Sequence, residues 1–127
     1  MIKWQDLIKN VNPRDIEEYS EIREGHSKNN IINGILFSKK SGKGYNIIVQ
    51  TNTEKLLDNS LVRVYCNCDD FKFRWAYVLH KRDALLAPTT FILTPPKITN
   101  TAQDIGCCKH LKVFLEKIKE ILKCWRI

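Results

Sequence analysis

The chain has no run of 18 apolar residues, so it contains no stretch that could span a bilayer as a helix. Residues 1 to 11, MIKWQDLIKNV, lack the unbroken apolar core and small-residue cleavage site of a signal peptide, so the protein is expected to be intracellular when made. There is no glycine-rich phosphate loop, no nucleophile elbow, and no His-x-Glu joined to Cys-x-x-Cys, the last absence removing zinc-deaminase chemistry. Asp69 and Asp70 are adjacent and would point in different directions, so they do not make a paired acid and base. The expectation is that the protein is not an enzyme. No internal repeat, low-complexity tract or dividing linker is present, and the 127 residues suit one domain, 1–127, with a single core of modest size.

Charge of one sign is in excess. The formal net charge is +7, which favours acidic partners such as nucleic acid, acidic protein surfaces or anionic lipid heads without choosing among them. Five cysteines are clustered as Cys66 and Cys68, then Cys107 and Cys108, then Cys124. An odd number in clusters does not resemble a loop-stapling disulfide framework, and in a reducing compartment such clusters more often bind metal.

Hydrophobic periodicity gives a coarse architecture. Trp4, Leu7, Ile8 and Val11 recur at helical spacing, and Asn12-Pro13 ends that stripe while opening a second helix that Gly25 stops, giving a helical segment over 1–25. From 31 to 66 the residues turn β-branched and aromatic: IINGILFSKK, SGKG and YNIIVQTNT read as a hairpin, and LVRVYC as a third antiparallel strand whose apolar face ends in Cys66. Residues 71 to 86 read as a helix with Phe71, Trp75, Val78, Leu79 and Leu86 near one side, and 87 to 106 as a proline-bearing loop with one short strand, TTFIL. Leu111, Phe114, Leu115, Ile118, Ile121, Leu122 and Trp125 place a long amphipathic helix over 108 to 125. The fold class expected is α+β: N-terminal helices, a small antiparallel sheet of about three strands, and a site joining the sheet end to the C-terminal helix.

That site is the most specific feature of the sequence. Cys66-Asn67-Cys68 and Cys108-Lys109-His110 form Cys-x-Cys and Cys-x-His, with 39 residues between the pairs. Four soft or borderline donors in two close pairs suit tetrahedral Zn2+, which would hold the thiols as thiolates and the histidine neutral. Buried free cysteines and a surface histidine are the bland alternative, and they leave the two matched spacings unexplained. Cys107 competes with Cys108 for one position, and Cys124 reads as a core residue. Three cysteines and one histidine close the shell and leave no position for a catalytic water.

These residues resemble the SWIM zinc finger, whose pattern is Cys-x-Cys followed by Cys-x-His, the first pair on a β-turn and the second at a helix start. The resemblance covers about residues 61 to 123, with the finger and its long insertion assigned to 66–127. The chain departs from the family in its longer spacer and in Asp69, which stands where proline is frequent. CNCDDFKFRWAY, PPKITN and GCCKHL in that order look most like small SWIM-type virion proteins of tailed bacteriophages. That resemblance implies a structural adaptor at a head-tail junction, tail or baseplate, located in the virion, with neighbouring protein subunits as partners and no small-molecule substrate.

A second possibility, a sequence-independent DNA-binding module, is motivated by the charge and by Lys72, Arg74, Lys81 and Arg82 interleaved with Phe71, Phe73, Trp75 and Tyr77. Against it, the aromatics fall near the expected buried side of a helix, where the bases would simply be solvated.

Overall fold

In the computed structural model, residues 1–9, 11, 19–27, 30–53, 56–86 and 104–124 are described, the side chains of 20–22, 26–27 and 120–124 excepted. Five antiparallel strands form one sheet: β1 (Ile2–Lys3), β2 (Tyr19–Ser27), β3 (Ile31–Ser38), β4 (Gly44–Thr51) and β5 (Leu61–Cys66), in the spatial order β1-β5-β4-β3-β2. The helices are α1 (Trp4–Ile8), α2 (Ala76–Lys81), which continues a π-helical segment Phe71–Trp75, and α3 (Lys109–Cys124).

The sheet is built on strict alternation. In β3, β4 and β5, Ile32, Leu36, Ile47, Val49, Val62, Val64 and Cys66 face inward and are buried, while their neighbours along each strand stay half-buried or exposed. A turn over Ser38 to Lys43 closes the β3–β4 hairpin, with Gly42 at φ 72° in the left-handed conformation and its N–H donating to the Ser38 carbonyl at 2.8 Å. Helix α3 lies across β3, β4 and β5, burying Leu111, Phe114, Leu115 and Ile118. Phe114 fits because β3 has glycine opposite it: a Cβ on Gly34 would overlap the ring carbons.

Several expectations need correction. The sheet has five strands rather than about three, and the helix expected to run to Gly25 is replaced from Tyr19 onward by β2. Seven consecutive residue pairs from Glu21↔Phe37 to Ser27↔Ile31 tie β2 to β3, so neighbouring-strand hydrogen bonds override the local helix preference of the Glu- and Arg-containing segment. Its proposed start, 12–18, lies outside the described residues, as does the short strand expected at TTFIL. At the N-terminus, Trp4, Leu7 and Val11 do bury the expected apolar side, though helix α1 spans only Trp4–Ile8. The Trp4 indole N–H donates to the Leu57 carbonyl at 2.7 Å, anchoring α1 to the β4–β5 connection.

The helix expected over 71 to 86 stops at Lys81. Asp83 takes φ 55°, the Ala84 N–H reaches back to the Leu79 carbonyl at 2.8 Å and the Asp83 N–H to His80 at 3.1 Å, a Schellman-type stop made without glycine. The freed chain then runs beside β5, where Val64 donates to Ala84 and accepts from Leu86.

Candidate metal centre

Cys66 is the last residue of β5, at the end of its inward face. The chain turns through Asn67, whose N–H donates to the Asn46 carbonyl at 3.2 Å and whose side-chain oxygen accepts the Asn46 N–H at 2.9 Å. Strand β4 thereby extends its ladder one step beyond β5 and fixes the turn. Cys68 follows, and its carbonyl accepts the Lys72 N–H at 3.2 Å as the next helical segment starts. Cys108 plays the matching part at α3, accepting the Lys112 N–H at 3.2 Å, with His110 in the first turn of the helix.

The fold brings these two turns together. The sulfurs of Cys66, Cys68 and Cys108 and a ring nitrogen of His110 all lie within 4.8 Å of one another, close enough to hold a metal ion. Exposure of the four is 0, 6, 1 and 3 %, so water has almost no access to the space between them. Both ring nitrogens of His110 are buried without a hydrogen-bond partner. A buried imidazole with neither nitrogen paired is costly, and a metal at this point would satisfy one of them. The donor set and this orphaned ring therefore fit a metal ion.

The thiols are electrostatically unequal. Hydrogen bonds from Cys108 and Cys66 hold the Cys68 thiol far below the ordinary range, helped by the Phe71 N–H, which donates to Cys68 Sγ at 3.3 Å. At Cys66 the Cys108 bond pulls downward, but the bond to Cys68 together with burial outweighs it and the net displacement is upward. Burial pushes Cys108 well up. The three thiols thus lean on one another for their protons, and a dication in the same space would draw those protons off. Burial first, then the neighbouring Cys66–Cys68 pair, raises Tyr65.

His110 is also held from the side. Tyr45, on the inner face of β4, stacks on its ring with centroids 3.9 Å apart and planes 23° from parallel, and Tyr19 of β2 meets it at 6.0 Å and 67°. Sequence reasoning missed both tyrosines, because a ring stack between distant elements leaves no spacing signal. Cys107, the competitor for Cys108, is buried outside the cluster and its thiol donates to the Leu7 carbonyl at 3.5 Å. Cys107→Ala is accordingly expected to keep a full equivalent of metal by elemental mass spectrometry, while Cys108→Ala falls below it. The side chain of Cys124 lies outside the described ones.

The basic residues singled out from sequence lie on the segment after Cys68. Lys72, Arg74, Lys81 and Arg82 are all exposed, whereas Phe71 and Trp75 are core residues and Tyr77 is half-buried. Phe73 is the exception, 52 % exposed, with Lys72 Nζ 5.3 Å from its ring centre. Acids interrupt the patch: Asp69, Asp70 and Asp83 are exposed beside it, and Arg74 pairs with Asp70 at 3.2 Å. Among the described residues no helix is long and apolar enough to cross a membrane. Compared with family models, curated proteins and solved structures, the chain matches none of them.

Proposed function

We propose that this protein is a non-enzymatic, zinc-stapled adaptor that holds a structural position in a large assembly. The observation that carries the proposal is the buried four-donor cluster, in which Cys66, Cys68, Cys108 and His110 converge from the sheet end and the start of α3. Three thiolates and one imidazole match the donor preference and coordination number of structural zinc, and they leave no ligand position for water or substrate. Zinc bound there would supply cross-linking rather than chemistry. The protein's own residues do the rest: β5 and the Asn46–Asn67 ladder step present one donor pair, and the first turn of α3 presents the other.

The nature of the assembly rests on the SWIM-like ligand pattern and its resemblance to tailed-phage virion proteins. On that reading the partners are neighbouring subunits at a head-tail junction, tail or baseplate. The competing reading, sequence-independent DNA binding, is favoured by exposed Phe73 beside Lys72, with Arg74, Lys81 and Arg82 exposed further along the same segment. Four bases against three acids between residues 69 and 83 make only a weak phosphate-binding surface, so the adaptor reading is preferred.

The deciding experiment is fluorescence anisotropy of zinc-loaded protein against duplex and single-stranded DNA across a salt series. The adaptor reading expects no saturable binding in low salt. Micromolar affinity that falls steeply with salt and is lost in Lys72→Ala/Arg74→Ala would replace it with the DNA-binding one.

A further inference from the structure

The two donor pairs are 39 residues apart, yet one dipeptide of β4 touches the supports of both. Tyr45 faces inward and stacks on His110 at 3.9 Å, while the backbone of Asn46 exchanges two hydrogen bonds with Asn67, the residue between Cys66 and Cys68, at 2.9 and 3.2 Å. We propose that Tyr45-Asn46 is a positioning device for the metal, setting the distance and orientation between the two donor pairs before the ion arrives. The inference rests on the zinc reading of the site.

The geometry explains why this pair suits the task. An imidazole binds a metal through a nitrogen in its ring plane, so a partner stacked on the ring face restrains rotation without blocking the donor. Tyr45 and Asn46 are successive residues of a strand, one side chain inward and the next outward. The inward tyrosine therefore reaches α3 while the backbone at 46 continues the ladder to the cysteine turn. Register enforces the match: Ile47 pairs with Cys66, so one step further Asn46 meets Asn67. Lys43 Nζ lies 5.6 Å from the Tyr45 ring centre, adding a contact from the hairpin turn. Neither His110 ring nitrogen meets a hydrogen-bond partner by geometry, although the ring bears on the Cys68 thiol beside it. The stack and the edge contact from Tyr19 restrain the ring from the side.

A donor set held in this way binds its ion with less ordering cost than a loose one. Outer-shell partners of metal ligands are typically worth about 10- to 100-fold in affinity. The test uses the full chain as wild type, Tyr45→Phe, Tyr45→Leu and Asn67→Ala. Zinc affinity is measured by competition with a chromogenic chelator, and Co2+ is used as a spectroscopic probe at saturation. Tyr45→Phe keeps the flat ring and is expected to match wild type. Tyr45→Leu and Asn67→Ala are expected to lose roughly tenfold or more in zinc affinity, and Tyr45→Leu to shift and broaden the visible Co2+ bands.

A side chain that mattered only for general stability would lower the melting temperature and leave the spectrum of the saturated protein unchanged. Asn67 is exposed, so its variant tests the second arm even where Tyr45→Leu fails to fold. Wild-type affinity and an unchanged spectrum in both Tyr45→Leu and Asn67→Ala would overturn the positioning role while leaving the metal centre standing. A wild-type chain that takes up neither Zn2+ nor Co2+ would overturn the zinc reading itself, and this inference with it.

Discussion

Stripping the metal that this site is proposed to hold, zinc on the reading above, is expected to lower the melting temperature by about 10 to 20 °C. Binding confined to the folded state stabilises by RT ln(1 + [L]/Kd), which is about 4 kcal/mol when free metal is a thousandfold above Kd. At roughly 3 to 5 °C per kcal/mol for a chain of this size, that amounts to about 10 to 20 °C. The metal-free state carries a further penalty, because both His110 ring nitrogens stay buried without a hydrogen-bond partner. Relief comes by opening the site, which detaches the start of α3 from the end of β5. Calorimetry with and without a strong chelator measures the effect. Cys68→Ser should lie near the chelated wild type and respond little to chelator itself. Equal melting of wild type and Cys68→Ser, with no response of either to chelator, would remove the structural role assigned to the metal.

Phe114→Ala should be among the most damaging single changes in the apolar core, costing about 3 to 5 kcal/mol by the usual range for deleting a buried aromatic. Phe114 is 1 % exposed and is the residue by which α3 seats on β3, its ring lying where a side chain at position 34 would be. The hole would open between α3 and β3, within a helix face whose Leu111, Leu115 and Ile118 are also buried. The same contact makes the reverse error informative. Gly34→Ala adds one methyl into the ring and is expected to cost about 1 to 3 kcal/mol, since Phe114 has no exposed space to move into. In a Phe114→Leu background that cost should shrink, giving a coupling energy of about 0.5 to 3 kcal/mol in a double-mutant cycle by urea denaturation. Additive effects would mean that Gly34 and Phe114 do not share the space the structure gives them.

What was legible in the sequence follows from which forces act locally. Strands β3, β4 and β5 could be read because one face of each is buried and the side-chain period is 2, and α3 because its apolar residues repeat at the helical period. Strand β2 was misread because YSEIREGHS offers little apolar alternation and several good helix formers; β3 makes it a strand, and that information is not local. Strand β1 has two residues, too few for any period. The π-helical phase of Phe71–Trp75 left Phe71 and Trp75 buried as expected, but the end of α2 was hidden in a left-handed Asp83 that only the backbone reveals. The four candidate donors were legible as two pairs because coordination chemistry favours short spacings within each turn. Their convergence, and the tyrosines around His110, belong to the tertiary structure alone.

The placement of the donors also bears on the order in which the protein can assemble. Strands β2 to β5 form a meander whose neighbours are consecutive, so that part of the sheet can zip up from local contacts as the chain leaves the ribosome. Strand β1 cannot join it until β5 has been made, because Ile2 pairs with Val62. The ligand set is later still: Cys66 and Cys68 emerge with the sheet, and they wait for Cys108 and His110. Closing that long loop has an entropic cost that rises only slowly with its length, so the delay weighs on rate more than on final stability. A two-thiol half-site exposed in the interval is a stage at which a nascent chain is open to oxidation or to capture of the wrong ion.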